Sequence, residues 1–167
     1  MKNLWSPWRS KYIESFTQNT EKNGCIFCEM KELQPDNEDN LLVDQAENCF
    51  TVMNLYPYNN GHLMIVPKRH ISKLSELTQV EVQECIEKLQ LFENVLTKIL
   101  KPDGFNIGIN LGRVSGAGIE DHIHFHIVPR WNGDTNFMPV LGEVKVISQE
   151  LIHTKKMILE CIKNLEQ

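Results

Sequence analysis

The chain has 167 residues, 41% hydrophobic and 23% charged, enough for one well-formed core and short for two, so a single domain is expected. A formal charge of −5 argues against a broad phosphate-tracking surface for nucleic acid and leaves room for a local basic pocket that handles a small phosphate compound. There is no apolar run of about 18 residues and no apolar leader core, so no membrane segment is expected and the cytoplasm is the expected location.

The opening, Trp5-Ser6-Pro7-Trp8-Arg9-Ser10-Lys11-Tyr12-Ile13, places two tryptophans and a tyrosine where most chains fray. Such side chains need a surface to dock on, either their own domain or a second subunit. Cys25-Ile26-Phe27-Cys28 follows, a spacing that lets both thiolates face one zinc ion but supplies only half of a tetrahedral shell. With Cys49, Cys85 and Cys161 the cysteine count is five, an odd number that does not read as a disulfide framework. Glu29 to Asn40, charged and containing Pro35, predicts a short helix and a loop.

From Leu41 the pattern turns β-like. Leu41-Leu42-Val43 and Cys49 to Asn54 predict two strands joined by a polar turn, and a Pro/Asn/Gly loop from Leu55 to Gly61 leads into a third, His62 to Pro67. Lys68-Arg69-His70 sits just past its end. Thr78-Gln79-Val80-Glu81 is a capping box, and Val82, Cys85, Ile86, Leu89, Phe92, Val95, Leu96 and Ile99 recur at helical spacing until Pro102 and Gly104, so a long helix with that stripe in the core is predicted. Phe105 to Leu111 is a fourth strand. Gly112 to Gly118 is a glycine-rich loop that suits either an ordinary turn or backbone N–H groups brought close to a phosphate.

Asp121-His122-Ile123-His124-Phe125-His126-Ile127-Val128-Pro129-Arg130 comes next, three histidines alternating with large apolar residues. On a strand this puts His122, His124 and His126 on one face at spacings of about 6.6 Å, with Ile123, Phe125 and Ile127 in the core. Imidazole is costly to bury without partners, so a polar function is expected on that face: shared ligation of a metal ion, or a nucleophile or proton carrier poised near neutral pH. Beyond Arg130, Trp131 to Phe137 reads as a loop, Glu143 to Ile147 as a short strand, and Ser148 to Glu166 as a terminal helix with Leu151, Ile152, Ile158, Leu159 and Ile162 inward. The sum is an α+β domain, an antiparallel sheet of about five strands with helices on one side, divided as 1–24 extension, 25–147 core and 148–167 terminal helix.

His122-Ile123-His124-Phe125-His126-Ile127-Val128 resembles the signature of the histidine triad family of nucleotidyl hydrolases and transferases. The resemblance extends to Cys25-Ile26-Phe27-Cys28, Asn54, Gly61-His62, Pro67-Lys68-Arg69-His70 and Asn110, and is strongest to the bacterial diadenosine tetraphosphate phosphorylase branch. It implies attack on the α-phosphate of an adenosine nucleotide by His124, with His126 on the phosphate oxygens or leaving group, Asn54 on the ribose hydroxyls, and Asn110, Gly116 and Gly118 near the phosphates. It also implies a structural zinc on Cys25, Cys28, His70 and His122, no metal in the chemical step, and a homodimer, for which Trp5, Trp8, the long helix and the Trp131 to Phe137 loop are candidate contacts. Many members carry Ser or Gln in the segment where this chain has Gly118, so a hydroxyl or amide donor is missing there, for which backbone N–H groups of the loop can substitute. Other activities compatible with the same residues are hydrolysis of a nucleoside phosphoramidate or AMP ester, a histidine-ligated metalloenzyme, and nucleotide binding without turnover.

Overall fold

A computed structural model describes residues 24–115, 117–134 and 149–165. Trp5, Trp8, Gly116 and the expected strand at Glu143 to Ile147 lie outside the described residues. The described elements are α1 (Ile26–Met30), β1 (Leu42–Gln45), β2 (Cys49–Met53), β3 (Leu63–Pro67), α2 (Gln79–Leu100), β4 (Gly104–Ile109), β5 (Phe125–Arg130) and α3 (Leu151–Leu165), with two 3-10 turns at Leu74–Glu76 and Arg113–Ser115. The five strands form one antiparallel sheet in the order β1-β2-β3-β5-β4. No helix among the described residues is long and apolar enough to cross a membrane.

Strand alternation sorts the sheet into two faces. Cys49, Met53, Leu63, Ile65, Phe125 and Ile127 pack with Cys85, Leu89, Phe92, Val95 and Leu96 of α2 and Ile158 of α3. Phe50, Val52, Met64 and Val66 face the other way and meet Phe27 of α1. The two long helices therefore share one face, as expected, while the short α1 covers the opposite face, the one that carries His126 opposite Met64.

The capping box forms as written: the Thr78 side chain accepts from the Glu81 N–H, and a Glu81 carboxylate oxygen accepts from the Thr78 N–H at 2.8 Å. Glu81 does a second job, because Arg69 donates to both of its oxygens, at 2.6 and 2.7 Å, from the segment just before His70. Two departures occur on the long helix. Val82 and Ile86, expected in the core stripe, are 40% and 44% exposed, since the buried line of the helix runs through Glu81, Cys85, Leu89 and Phe92 and each of the two sits one residue, about 100°, to its side. The expected terminal helix is present but buries Thr154 and Lys155 beside Ile158, which its apolar spacing does not foretell.

Candidate active site and metal centre

The histidine segment departs from a continuous strand. β5 begins at Phe125, and His122, in a bend, and Ile123 and His124, in irregular chain, precede it, held by the Ile123 N–H donating to the Ile71 carbonyl at 2.7 Å. All three histidines are buried, and Phe27 packs edge-on against His122 and tilted against His124, with ring centroids 5.4 and 5.1 Å away. His124 and His126 sit with ring centroids 4.7 Å apart, closer than the strand spacing implies.

Backbone partners assign the protons. The Nε2–H of His122 donates to the Pro67 carbonyl at 2.8 Å, which leaves the Nδ1 lone pair of His122 facing Cys25 Sγ at 3.2 Å, His70 Nδ1 at 3.3 Å and Cys28 Sγ at 3.7 Å. The Nδ1–H of His124 donates to the His122 carbonyl at 2.8 Å, so its Nε2 carries a lone pair. The Tyr58 N–H donates to Nδ1 of His62 at 3.0 Å, so the His62 proton is on Nε2 and is donated to Nδ1 of His126 at 2.9 Å. That puts the His126 proton on Nε2, a buried atom with no hydrogen-bond partner among the described residues. Burial pushes all three triad imidazoles below their ordinary range, His126 to about 4 with the neighbouring His124 adding to the effect, so they are neutral at physiological pH.

His124 and His126 line a cavity of about 640 Å³ between α1, the end of β2 and the loop before the triad. Its walls are largely apolar, including Ile26, Phe27, Leu33, Val52 and Met64, with Asn54, Asp39 and Asn40 as polar groups, a composition suited to a flat apolar ring carrying a few polar handles. Of the residues expected at the substrate, Asn54 and Gly118 line this cavity, and nothing lies within 4 Å of a Cβ built on Gly118. Asn54 Oδ1 accepts from the Tyr56 N–H at 2.9 Å. Asn110 follows the end of β4, half-buried and outside the cavity lining.

Cys25, Cys28, His70 and His122 place four donor atoms within 4.8 Å of one another. Cys25 is the N-cap of α1 and Cys28 lies in its first turns, so one short helix delivers both thiols, while β3 leads to His70. A tetrahedral ion with bonds of about 2.3 Å to sulfur and about 2.05 Å to nitrogen sets edges of about 3.3 Å between nitrogens and about 3.6 Å between nitrogen and sulfur. The observed 3.3 Å and the 3.2, 3.4 and 3.7 Å separations bracket those edges, and the Pro67 carbonyl holds His122 in the tautomer that ligates through Nδ1. The residues fit a metal ion. His124 and His126 are not part of this group, so the arrangement does not favour one metal on all three histidines.

His62 is the functional neighbour for which the sequence signals no role. Its position after Gly61 looks like the start of a strand, yet it is 1% exposed and links the 54–62 loop to His126. Gly61 suits that position by its φ of +74°, which L side chains rarely adopt, and a Cβ there would also displace Leu100 Cδ1, 2.5 Å away.

Residues 35–133 match the HIT domain. Over 163 residues the chain is 37% identical to a protein named AP-4-A phosphorylase from Mycobacterium tuberculosis, which covers 95% of this chain and 83% of that protein. Among solved structures, a hypothetical histidine triad nucleotide-binding protein from Sulfolobus tokodaii superposes with a TM-score of 0.66 at 28% identity, over 85% of this chain and 94% of that one. A zinc-bound histidine triad family protein from Mycobacterium smegmatis shares the fold with a TM-score of 0.68 at 23% identity, over 86% and 96%.

Proposed function

The chain belongs to the histidine triad family of nucleotidyl hydrolases and transferases, and on that premise we propose that it splits a dinucleoside polyphosphate of the diadenosine tetraphosphate type through an adenylated His124. The observation that carries this reading is the complementary proton arrangement at the cavity: a lone pair on Nε2 of His124 and an unpartnered N–H on Nε2 of His126, 4.7 Å apart between rings.

In the first step Nε2 of His124 attacks the α-phosphorus, a P–N bond forms and the P–O bond to the departing polyphosphate breaks. The departing group is a stable anion, so a hydrogen bond from His126 Nε2–H to its oxygen offsets the developing charge without a full proton transfer. In the second step an oxygen of inorganic phosphate attacks the adenylated His124, the P–N bond breaks and ADP leaves; water in the same place gives AMP. The name of the Mycobacterium tuberculosis relative supports phosphate as the acceptor. The apolar walls would take the base, Asn54 the ribose hydroxyls, and Asn110, Gly116 and Gly118 the phosphate region.

The metal group is read as a structural zinc held by Cys25, Cys28, His70 and His122, which would tie α1 to the end of β3 and to the chain entering β5. Its ligand His122 is separated from His124 by one residue, so the ion would hold the nucleophile's segment in place. The assembly is read as a two-fold dimer. Exposed Val82 and Ile86 on α2, and Ile107 on the edge strand β4 at 50% exposure, support joining two chains across apolar surface. Light scattering at micromolar concentration should show twice 19.4 kDa, and a purely 19.4 kDa species rejects the dimer.

The deciding experiment is incubation with diadenosine tetraphosphate with and without phosphate. ADP and ATP are expected with phosphate, AMP and ATP without it, and His124→Ala should abolish both while nucleotide binding survives. Near-normal turnover by His124→Ala would overturn the nucleophile assignment.

A further inference from the structure

Lys155, in α3, is 2% exposed. Burying an ammonium group is costly unless each of its protons is taken up, and here all three have acceptors. Its Nζ donates to the Asn37 carbonyl at 2.7 Å, the Asn40 carbonyl at 2.9 Å and Asn40 Oδ1 at 3.2 Å. All of these belong to the one segment that leads into Asp39, Asn40 and Leu41, a wall of the cavity. Asn40 is fixed from its own side as well, donating to the Gln34 carbonyl and accepting from the Leu42 N–H.

The preceding residue, Thr154, is fully buried and lies against the 54–62 loop, whose residues Asn54, Leu55, Tyr56 and Tyr58 line the same cavity. Its Oγ1 has the Glu150 carbonyl at 3.1 Å, Gln149 Oε1 at 3.2 Å and Asn60 Oδ1 at 3.4 Å as acceptors for its one proton, and Asn60 Nδ2 donates to the same Gln149 Oε1, just before α3, at 2.9 Å, so Thr154 and Gln149 together meet Asn60. Asn60 sits in the 54–62 loop between Tyr58, whose N–H sets the His62 tautomer, and His62 itself. Two adjacent residues of α3 thus grip two loops that are about 20 positions apart in the chain and flank the same cavity. The HIT match ends at residue 133, so both loops belong to the shared domain while the grip on them comes from beyond it.

We propose that α3 is a positioning element for the nucleotide pocket, in which Lys155 holds the 37–40 wall and Thr154 holds the loop that carries Tyr58 and His62. The proposal rests on the nucleotide reading of that cavity. Lys155 is a positioning residue here, since it touches the wall and not the cavity.

The test compares wild type, Lys155→Met and Thr154→Val by kinetics on diadenosine tetraphosphate, by AMP affinity in calorimetry, and by amide hydrogen exchange. Lys155→Met should raise KM and the AMP Kd by about tenfold with kcat within about twofold, and speed exchange at residues 37–42 but not along α2. Thr154→Val should speed exchange at residues 58–62 and lower kcat more than it raises KM. If Lys155→Met does not fold, Lys155→Gln, which keeps donors at the site, should show the same split in smaller degree. A variant that melts earlier yet keeps wild-type KM, AMP affinity and local exchange would overturn the proposal and leave α3 a packing element. If the wild type fails to turn over diadenosine tetraphosphate, the functional reading falls, while AMP affinity and exchange still decide the role of α3.

Discussion

Replacing His62 by Phe isolates the proton chain at the site. Phenylalanine keeps the ring volume and the packing on Tyr58, whose centroid is 4.7 Å from that of His62, but removes both hydrogen bonds. The Tyr58 N–H and Nδ1 of His126 then lose the partners they have at 3.0 and 2.9 Å. Each group left unpaired costs about 1–3 kcal/mol, so stability should fall by about 2–6 kcal/mol. The effect on catalysis is set by two unequal terms. If the proton of His126 merely distributed evenly between its nitrogens, half the molecules would stay competent, a loss of about twofold or ~0.4 kcal/mol. Loss of the bond that orients the ring is larger, since removing a donor aimed at developing charge altogether costs about 10² to 10³ in rate. His62→Phe should therefore lower kcat by about 10- to 100-fold, less than His126→Ala does. Because His62 acts through His126, the double variant should be no slower than His126→Ala alone. Steady-state kinetics of the four proteins, below the melting range of the least stable, is the assay. A kcat for His62→Phe within threefold of wild type, or losses that multiply in the double variant, would refute the relay.

Purified protein should contain one zinc per chain by elemental analysis, and chelation or Cys28→Ser should lower the melting temperature; a metal-free protein of undiminished stability returns the cysteines to packing. The pair of hydrogen bonds from Arg69, opposed by burial and reinforced by Thr78, holds the Glu81 carboxyl down to about 2, below its ordinary 4.5. A carboxyl depressed in the folded state stabilises above its unfolded pKa and loses that contribution as pH falls through the folded one. The stability gap between wild type and Glu81→Gln in urea melts, about 1–3 kcal/mol at pH 7, should thus stay flat down to about pH 5, shrink below pH 4.5 and close near pH 2; a gap unchanged at pH 3 would contradict it.

Much of the framework is legible in local sequence. Thr78 and Glu81 mark the start of α2, short apolar runs bounded by turn residues mark β2 and β3, and Cys25 with Cys28 announces half of a metal shell, because caps, apolar runs and ligand spacings act within a few residues of each other. The alternation around His124 likewise signals that a polar function occupies one face, even though the regular strand starts only at Phe125.

The tertiary structure decides what each histidine does. Which nitrogen carries the proton depends on the Pro67 carbonyl, 55 positions from His122, and on His62, 64 positions from His126. Periodicity says which way a side chain points and is silent about which group arrives opposite it. For the same reason Val82 and Ile86 read as core but stand in the open, and Lys155, not among the residues expected inward on the terminal helix, is buried. The sheet and α1 assemble the acceptors and the apolar cover from segments far apart in the chain, and only that assembly fixes the protonation of the site.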